Sequence, residues 1–80
     1  MNYLATFFTH SGAIKFSRAL SKDGIENESL PVPRKLSSNC GIGVKFLFQG
    51  EINSILNDDI EKLFKVTGKD DFTLYLNFDE

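Results

Sequence analysis

Ile42, Val44, Phe46 and Phe48 alternate with Gly43, Lys45 and Leu47. A side-chain period of two is the mark of a half-buried β-strand, and an α-helix cannot put such a set on one face. This is the clearest strand of the chain, and it commits the chain to a sheet. Phe72, Leu74, Leu76 and Phe78 alternate in the same way with Thr73, Tyr75 and Asn77, giving a final strand. Gly68-Lys69-Asp70-Asp71 before it reads as a hairpin turn.

The rest of the chain is read around these segments. Tyr3 to Phe8 is short, aromatic and bounded by polar residues, so it reads as a strand. Thr9-His10-Ser11-Gly12 then opens a helix, with Thr9 or Ser11 able to accept a hydrogen bond from an unpaired N–H of the first turn. Ala13, Phe16, Ser17 and Leu20 share one helical face, and Gly24 after Lys22-Asp23 is a stop signal. Ile25 to Val32 reads as a weaker strand with Leu30 and Val32 on one face; Pro31 removes a ladder donor and assigns it to a sheet edge. Gln49-Gly50 ends the Ile42–Phe48 strand, and Ile52, Ile55 and Leu56 at helical spacing predict a short second helix from Glu51 to about Asn57. Ile60, Leu63 and Phe64 would continue that face, but Asn57-Asp58-Asp59 is a turn signal, and Leu63 to Thr67 is read as a strand.

The order is β-α-β-β-α-β with an additional C-terminal strand. It predicts an α+β, ferredoxin-like sandwich forming a single domain over residues 1–80, with 67–80 as a C-terminal hairpin extension. With 80 residues the core is thin, and there is room for a shallow site rather than a deep cofactor pocket. Eight Phe and no Trp suit a small sheet with one helical layer. A net charge of −2, with no basic cluster beyond Arg34-Lys35, argues against nucleic acid as a partner. The first residues have no basic region and no long apolar run, so neither a signal peptide nor a membrane span is expected. With one cysteine, the expected setting is reducing and cytoplasmic.

That cysteine, Cys40, sits in the most loop-like stretch of the chain, between the basic pair Arg34-Lys35 and the glycines Gly41 and Gly43. In a 4-1-3-2 antiparallel order the strand after Cys40 lies beside the first strand and runs the other way. Cys40 then meets the end of that first strand, where Thr9, His10 and Ser11 start the helix, and the Pro33-Arg34-Lys35 end of the second strand reaches the same edge. The thiolate is the reactive form of cysteine, and helix N-termini and cations favour it. Ser37, Ser38 and Asn39 add short donors, and Gly41 allows close backbone approach. The set is a cradle for a thiolate, a persulfide or a small anion. The plainer readings are a cysteine that is only a small hydrophobe, a His10 that only starts a helix, and loop charges that are only solvated. A metal site from Cys40 and His10 has two ligands where a structural zinc wants four, so no metal is expected.

Phe8-Thr9-His10, followed by Pro31-Val-Pro33-Arg34-Lys35-Leu36-Ser37-Ser38-Asn39-Cys40-Gly41-Ile42-Gly43, resembles the small selenium/sulfur-carrier-like domains of bacteria, over about residues 2–66. The resemblance implies that Cys40 is the carrier thiol. Pro33, Arg34, Ser38 and Gly41 form its setting, with Thr9 and His10 opposite, and it supports a strand over Leu63–Thr67. Residues 67–80 extend beyond the family-like core, and Gly12 weakens the first helical turn.

The leading expectation is a carrier rather than a stand-alone enzyme. Cys40 would take sulfur or selenium from a donor such as a cysteine desulfurase and hand it, as a persulfide or selenopersulfide, to an acceptor protein. Arg34, Lys35 and the helix start at Thr9 and Ser11 would stabilise the anion, and His10 would hold a proton. No cofactor is called for. The alternative is a non-catalytic interaction or regulatory module, a homodimer among its forms, that pairs through the edge strand Phe72–Phe78.

Overall fold

β1 (Asn2–Phe7) is the strand around which the others assemble in the structure, a computed structural model that describes residues 1–36, 40–69 and 71–79. It pairs antiparallel with β3 (Ile42–Leu47) on one side and with β4 (Ile60–Gly68) on the other. β2 (Asn27–Pro31) adds outside β3, and β5 (Asp71–Asn77) adds outside β4. The result is an α+β fold with a five-stranded antiparallel sheet in the order β2-β3-β1-β4-β5.

One helix, α1 (His10–Lys22), covers the sheet across β1, β3 and β2. Thr9 is its N-cap: the hydroxyl oxygen accepts from the Gly12 N–H at 3.0 Å. Ala13, Phe16 and Leu20 form its buried stripe. Phe16 stands at the centre of the core, 5.4 Å from the ring of Phe7 and 5.4 Å from that of Phe46. Aromatic pairs at that spacing add to the burial of their area. Gly24 ends the helix with φ +74°, and the Ile25 N–H reaches back 2.8 Å to the Leu20 carbonyl. Ser17 is half-buried and donates to Asn27 Oδ1 at 2.6 Å, tying α1 to the first residue of β2. Gly12 is buried against the loop before β4, where an added Cβ would stand 2.5 Å from Asp59 Cβ. The position that weakens the first turn is therefore one that packing requires to be small.

The expected second helix is not formed, so the two-helix layer of a ferredoxin-like sandwich is absent. Only Ile52–Ser54 makes a 3-10 turn. The reason is local. Ser54 Oγ donates to the Glu51 carbonyl at 2.7 Å, and Asn57 Oδ1 accepts from the Asp59 N–H at 2.9 Å. Such side-chain bonds compete with helix continuation, and about seven residues are too few to nucleate a helix against them. Ile52 is still buried, and Ile55 and Leu56 still pack on the core.

β4 begins earlier than the sequence suggested, at Ile60, and a bulge explains the ambiguity there. Thr6 pairs with Lys62 but Phe7 pairs with Ile60, so Glu61 is an extra residue. Ile60 and Leu63 can then both face the core, and the inserted residue turns a spacing of two into the spacing of three that resembled a helix. A second bulge acts on β5. Phe64 pairs with Leu74 and Leu63 with Leu76, leaving Tyr75 over. Leu76 consequently packs on the core while Leu74 is 49% exposed, so the regular alternation of Phe72, Leu74, Leu76 and Phe78 on one face does not hold. Lys65 Nζ lies 4.2 Å from the centre of the Tyr75 ring. Among the described residues no helix is long and apolar enough to cross a membrane.

Candidate functional site

The chain leaves β2 and returns to β3 at one point. Pro31 pairs with Ile42, and the next residue, Val32, donates its N–H to the Gly41 carbonyl at 3.0 Å. Between them runs a 3-10 turn, Arg34–Leu36, closed by the Leu36 N–H on the Pro33 carbonyl at 3.0 Å. Cys40 is at the closing end of this loop. Gly41 has φ +74°, a left-handed conformation that side chains disfavour, and it turns the backbone from Cys40 into β3. Gly43 lets β3 sit tightly in the sheet: a Cβ there would be 2.9 Å from the Ala5 carbonyl oxygen and 3.0 Å from Val32 Cγ2.

Cys40 is half-buried and packs on the rim of the hydrophobic core. Its thiol donates to the carbonyl of Ile42 at 3.2 Å. The sulfur is thus turned toward the first residue of its own following strand. Deprotonation of the thiol ends that contact, because a thiolate has no proton to donate.

The end of β1 lies beside the start of β3, because Thr6 pairs with Gly43. Thr9, His10 and Ser11 therefore begin α1 at the same end of the sheet as Cys40. His10 and Ser11 are exposed. The hydroxyl oxygen of Thr9 accepts the Gly12 N–H. The helix start is also fastened to the β4 side of β1: the Phe8 N–H donates to the Asp59 carbonyl at 3.0 Å, and Gly12 abuts the Asp59 side chain. Cys40 is on the β2–β3 side. The thiol donates to Ile42, while the Thr9 hydroxyl is engaged as the cap of α1 at Gly12. Arg34 and Lys35 lie on the 3-10 turn, with Lys35 exposed. Ser38, with Ser37 and Asn39, lies outside the described residues.

One further residue at this end of the sheet was not legible in the sequence. Glu61, the bulge residue of β4, is 2% exposed. The strand expected here began only at Leu63, so Glu61 had no place in the sheet as read from the sequence. Among the described residues no group of three or more His, Cys, Asp or Glu could hold a metal ion.

A family model described as "Putative Se/S carrier protein-like" matches residues 2–66. The chain belongs to this family. The matched segment takes in Cys40 and all of the fold from β1 into β4, and leaves β5 outside it. No curated protein and no solved structure matches the chain.

Proposed function

We propose that this member of the Se/S-carrier-like family carries a sulfur or selenium atom on Cys40. The observation that carries the reading is the position of the chain's one cysteine: half-buried at the closing end of the β2–β3 loop, inside the segment that the family model matches.

The step balances without any change of net oxidation state. The Cys40 thiolate attacks the outer sulfur of a donor persulfide, such as that of a cysteine desulfurase. The S–S bond of the donor breaks, the donor leaves as a thiolate, and the new S–S bond is on Cys40. Delivery reverses the roles: an acceptor thiolate attacks the outer sulfur and Cys40 leaves. A selenopersulfide donor would pass selenium by the same exchange. A single thiol suits a carrier, because it cannot release its cargo by forming an internal disulfide.

The chain's own residues have definite tasks in this reading. The thiol gives up its contact with the Ile42 carbonyl as it is loaded. Arg34 and Lys35, on the turn just before Cys40 in the chain, supply positive charge to the anionic persulfide. The left-handed Gly41 keeps the backbone beside the sulfur free of side-chain bulk.

Mass spectrometry after incubation with a cysteine desulfurase and cysteine tests the proposal. The expected result is a gain of one sulfur atom that dithiothreitol removes and that Cys40→Ser abolishes. An adduct that persists in Cys40→Ser, or none with any persulfide or selenopersulfide donor, overturns it.

A further inference from the structure

The two edges of the sheet are built differently. β2, at one edge, carries Pro31 and Glu28, and both proline and charge discourage another strand from pairing there. β5, at the other edge, has no proline, and its one charged residue is Asp71 at its start. From Phe72 to Phe78 it holds no proline and no Asp, Glu, Lys or Arg, and Leu74, Tyr75 and Phe78 are each close to half exposed. The Tyr75 bulge interrupts it once, leaving Asp71–Leu74 on one side and Leu76–Asn77 on the other. Among the described residues no further strand pairs with the outer side of β5, and an edge strand without proline or charge from Phe72 to Asn77 is a template for another strand.

The ends of this strip select the occupant. Beyond its C-terminal end is a cup of about 330 Å³ whose apolar walls are Phe8, Leu56, Ile60 and Phe78 and whose polar lining includes Asp58. Asp79, exposed, follows directly on Phe78. At the other end stands Asp71, exposed, accepting from the Thr67 hydroxyl at 2.9 Å. A long basic side chain matches the cup: its aliphatic stem covers the aromatic walls while its charge meets a carboxylate. A second copy pairing antiparallel and in register along β5 would bring its own Asp71 toward Asp79, like charge to like. We infer that the β5 edge is a docking site for an extended, apolar segment of another protein that carries a lysine or arginine at the end lying over the Phe8–Phe78 cup.

This inference does not rest on the chemistry of Cys40, and the test is run in Cys40→Ser to keep the two apart. The probe is a capped peptide of alternating valine and threonine, matched to the length of β5, with an arginine at each end. The control peptide has glutamates at the ends. Binding is read from amide shifts and hydrogen exchange of the full chain. The expected result is slowed exchange of the β5 amides and affinity for the arginine peptide about ten-fold or more above the glutamate peptide. Leu74→Lys should weaken it by about ten-fold, and Leu74→Thr, which keeps strand propensity without charge, should retain it. No binding, equal affinity for the two peptides, or shifts away from β5 overturn the inference. So does a dimer of the unliganded chain that Leu74→Lys dissociates, which would make a second copy the occupant.

Discussion

The thiol of Cys40 donates to the carbonyl of Ile42 at 3.2 Å, linking the last loop residue before Gly41 to the first residue of β3. Serine offers the same kind of donor. Cys40→Ser should therefore cost less than about 1 kcal/mol of stability, the size of one ordinary hydrogen bond. Urea unfolding checks this. A loss above about 3 kcal/mol would make Cys40 a packing residue and deprive the serine variant of its use as a loading control.

Gly41 has φ +74° and no heavy atom within 4 Å of where a Cβ would stand, so a substitution there is opposed by backbone strain and not by crowding. Gly41→Ala should cost about 1–2 kcal/mol, and Gly41→Asn less, because asparagine tolerates the left-handed region. Denaturant midpoints at unchanged slope would show it.

At Gly12 the obstacle is the reverse, a neighbour rather than a conformation. With Asp59 Cβ only 2.5 Å from the position of an added Cβ, Gly12→Ala should lose about 1–3 kcal/mol even though alanine is the better helix former. Asp59→Gly removes that atom. In the double variant part of the loss should return, giving a coupling energy above about 0.5 kcal/mol in a double-mutant cycle. Strictly additive losses would show that the contact is not what excludes alanine.

Thr9 separates a structural from a chemical role. Its hydroxyl caps α1 at Gly12, so Thr9→Ala should cost about 1 kcal/mol and Thr9→Ser almost nothing. The alkylation rate of Cys40 should be the same in Thr9→Ala as in the parent chain. A large change in that rate would place the hydroxyl in the thiol's surroundings.

Phe16 joins the helix to two strands through Phe7 and Phe46, with ring centres 5.4 Å apart in each case. Phe16→Ala should be among the most damaging single changes, about 3–5 kcal/mol, and in a domain this small that leaves little net stability. Thermal unfolding followed by near-ultraviolet circular dichroism would report the loss of fixed aromatic packing.

β1, β3 and the helix α1 were legible because their apolar patterns and boundaries were clear, whereas β4 was found only from Leu63 on and the alternation of β5 misplaced Leu74. β3 reads as a strand since nothing interrupts the run from Ile42 to Leu47, and α1 is bounded by the signals at Thr9 and Gly24. Two kinds of feature were not legible. Bulges at Glu61 and Tyr75 change the face of every residue beyond them, and no local residue announces them. The Glu51–Asn57 stretch has helical spacing but also Ser54 and Asn57, whose side chains hold the backbone in turns; spacing alone could not weigh one against the other. For the candidate site, the sequence placed Cys40 correctly before a strand beside β1. It gave no sign that the thiol would turn to Ile42, that the start of α1 would be fastened to Asp59, or that Glu61 would be buried.

The register of β1 also dictates a timetable. Tyr3 is opposite Phe46 on one side and Lys65 on the other. β1 precedes β4 in the chain, and its second flank is filled only when β4 has been made. Its two partners are reached by closing long loops, which is an entropic barrier that local helical contacts do not face. A nascent chain that stops short of Ile60 has one flank of β1 open, with Leu4, Ala5 and Phe7 still lacking their β4 neighbours. Folding of this sheet is therefore expected to wait for β4 and to proceed cooperatively, rather than strand by strand.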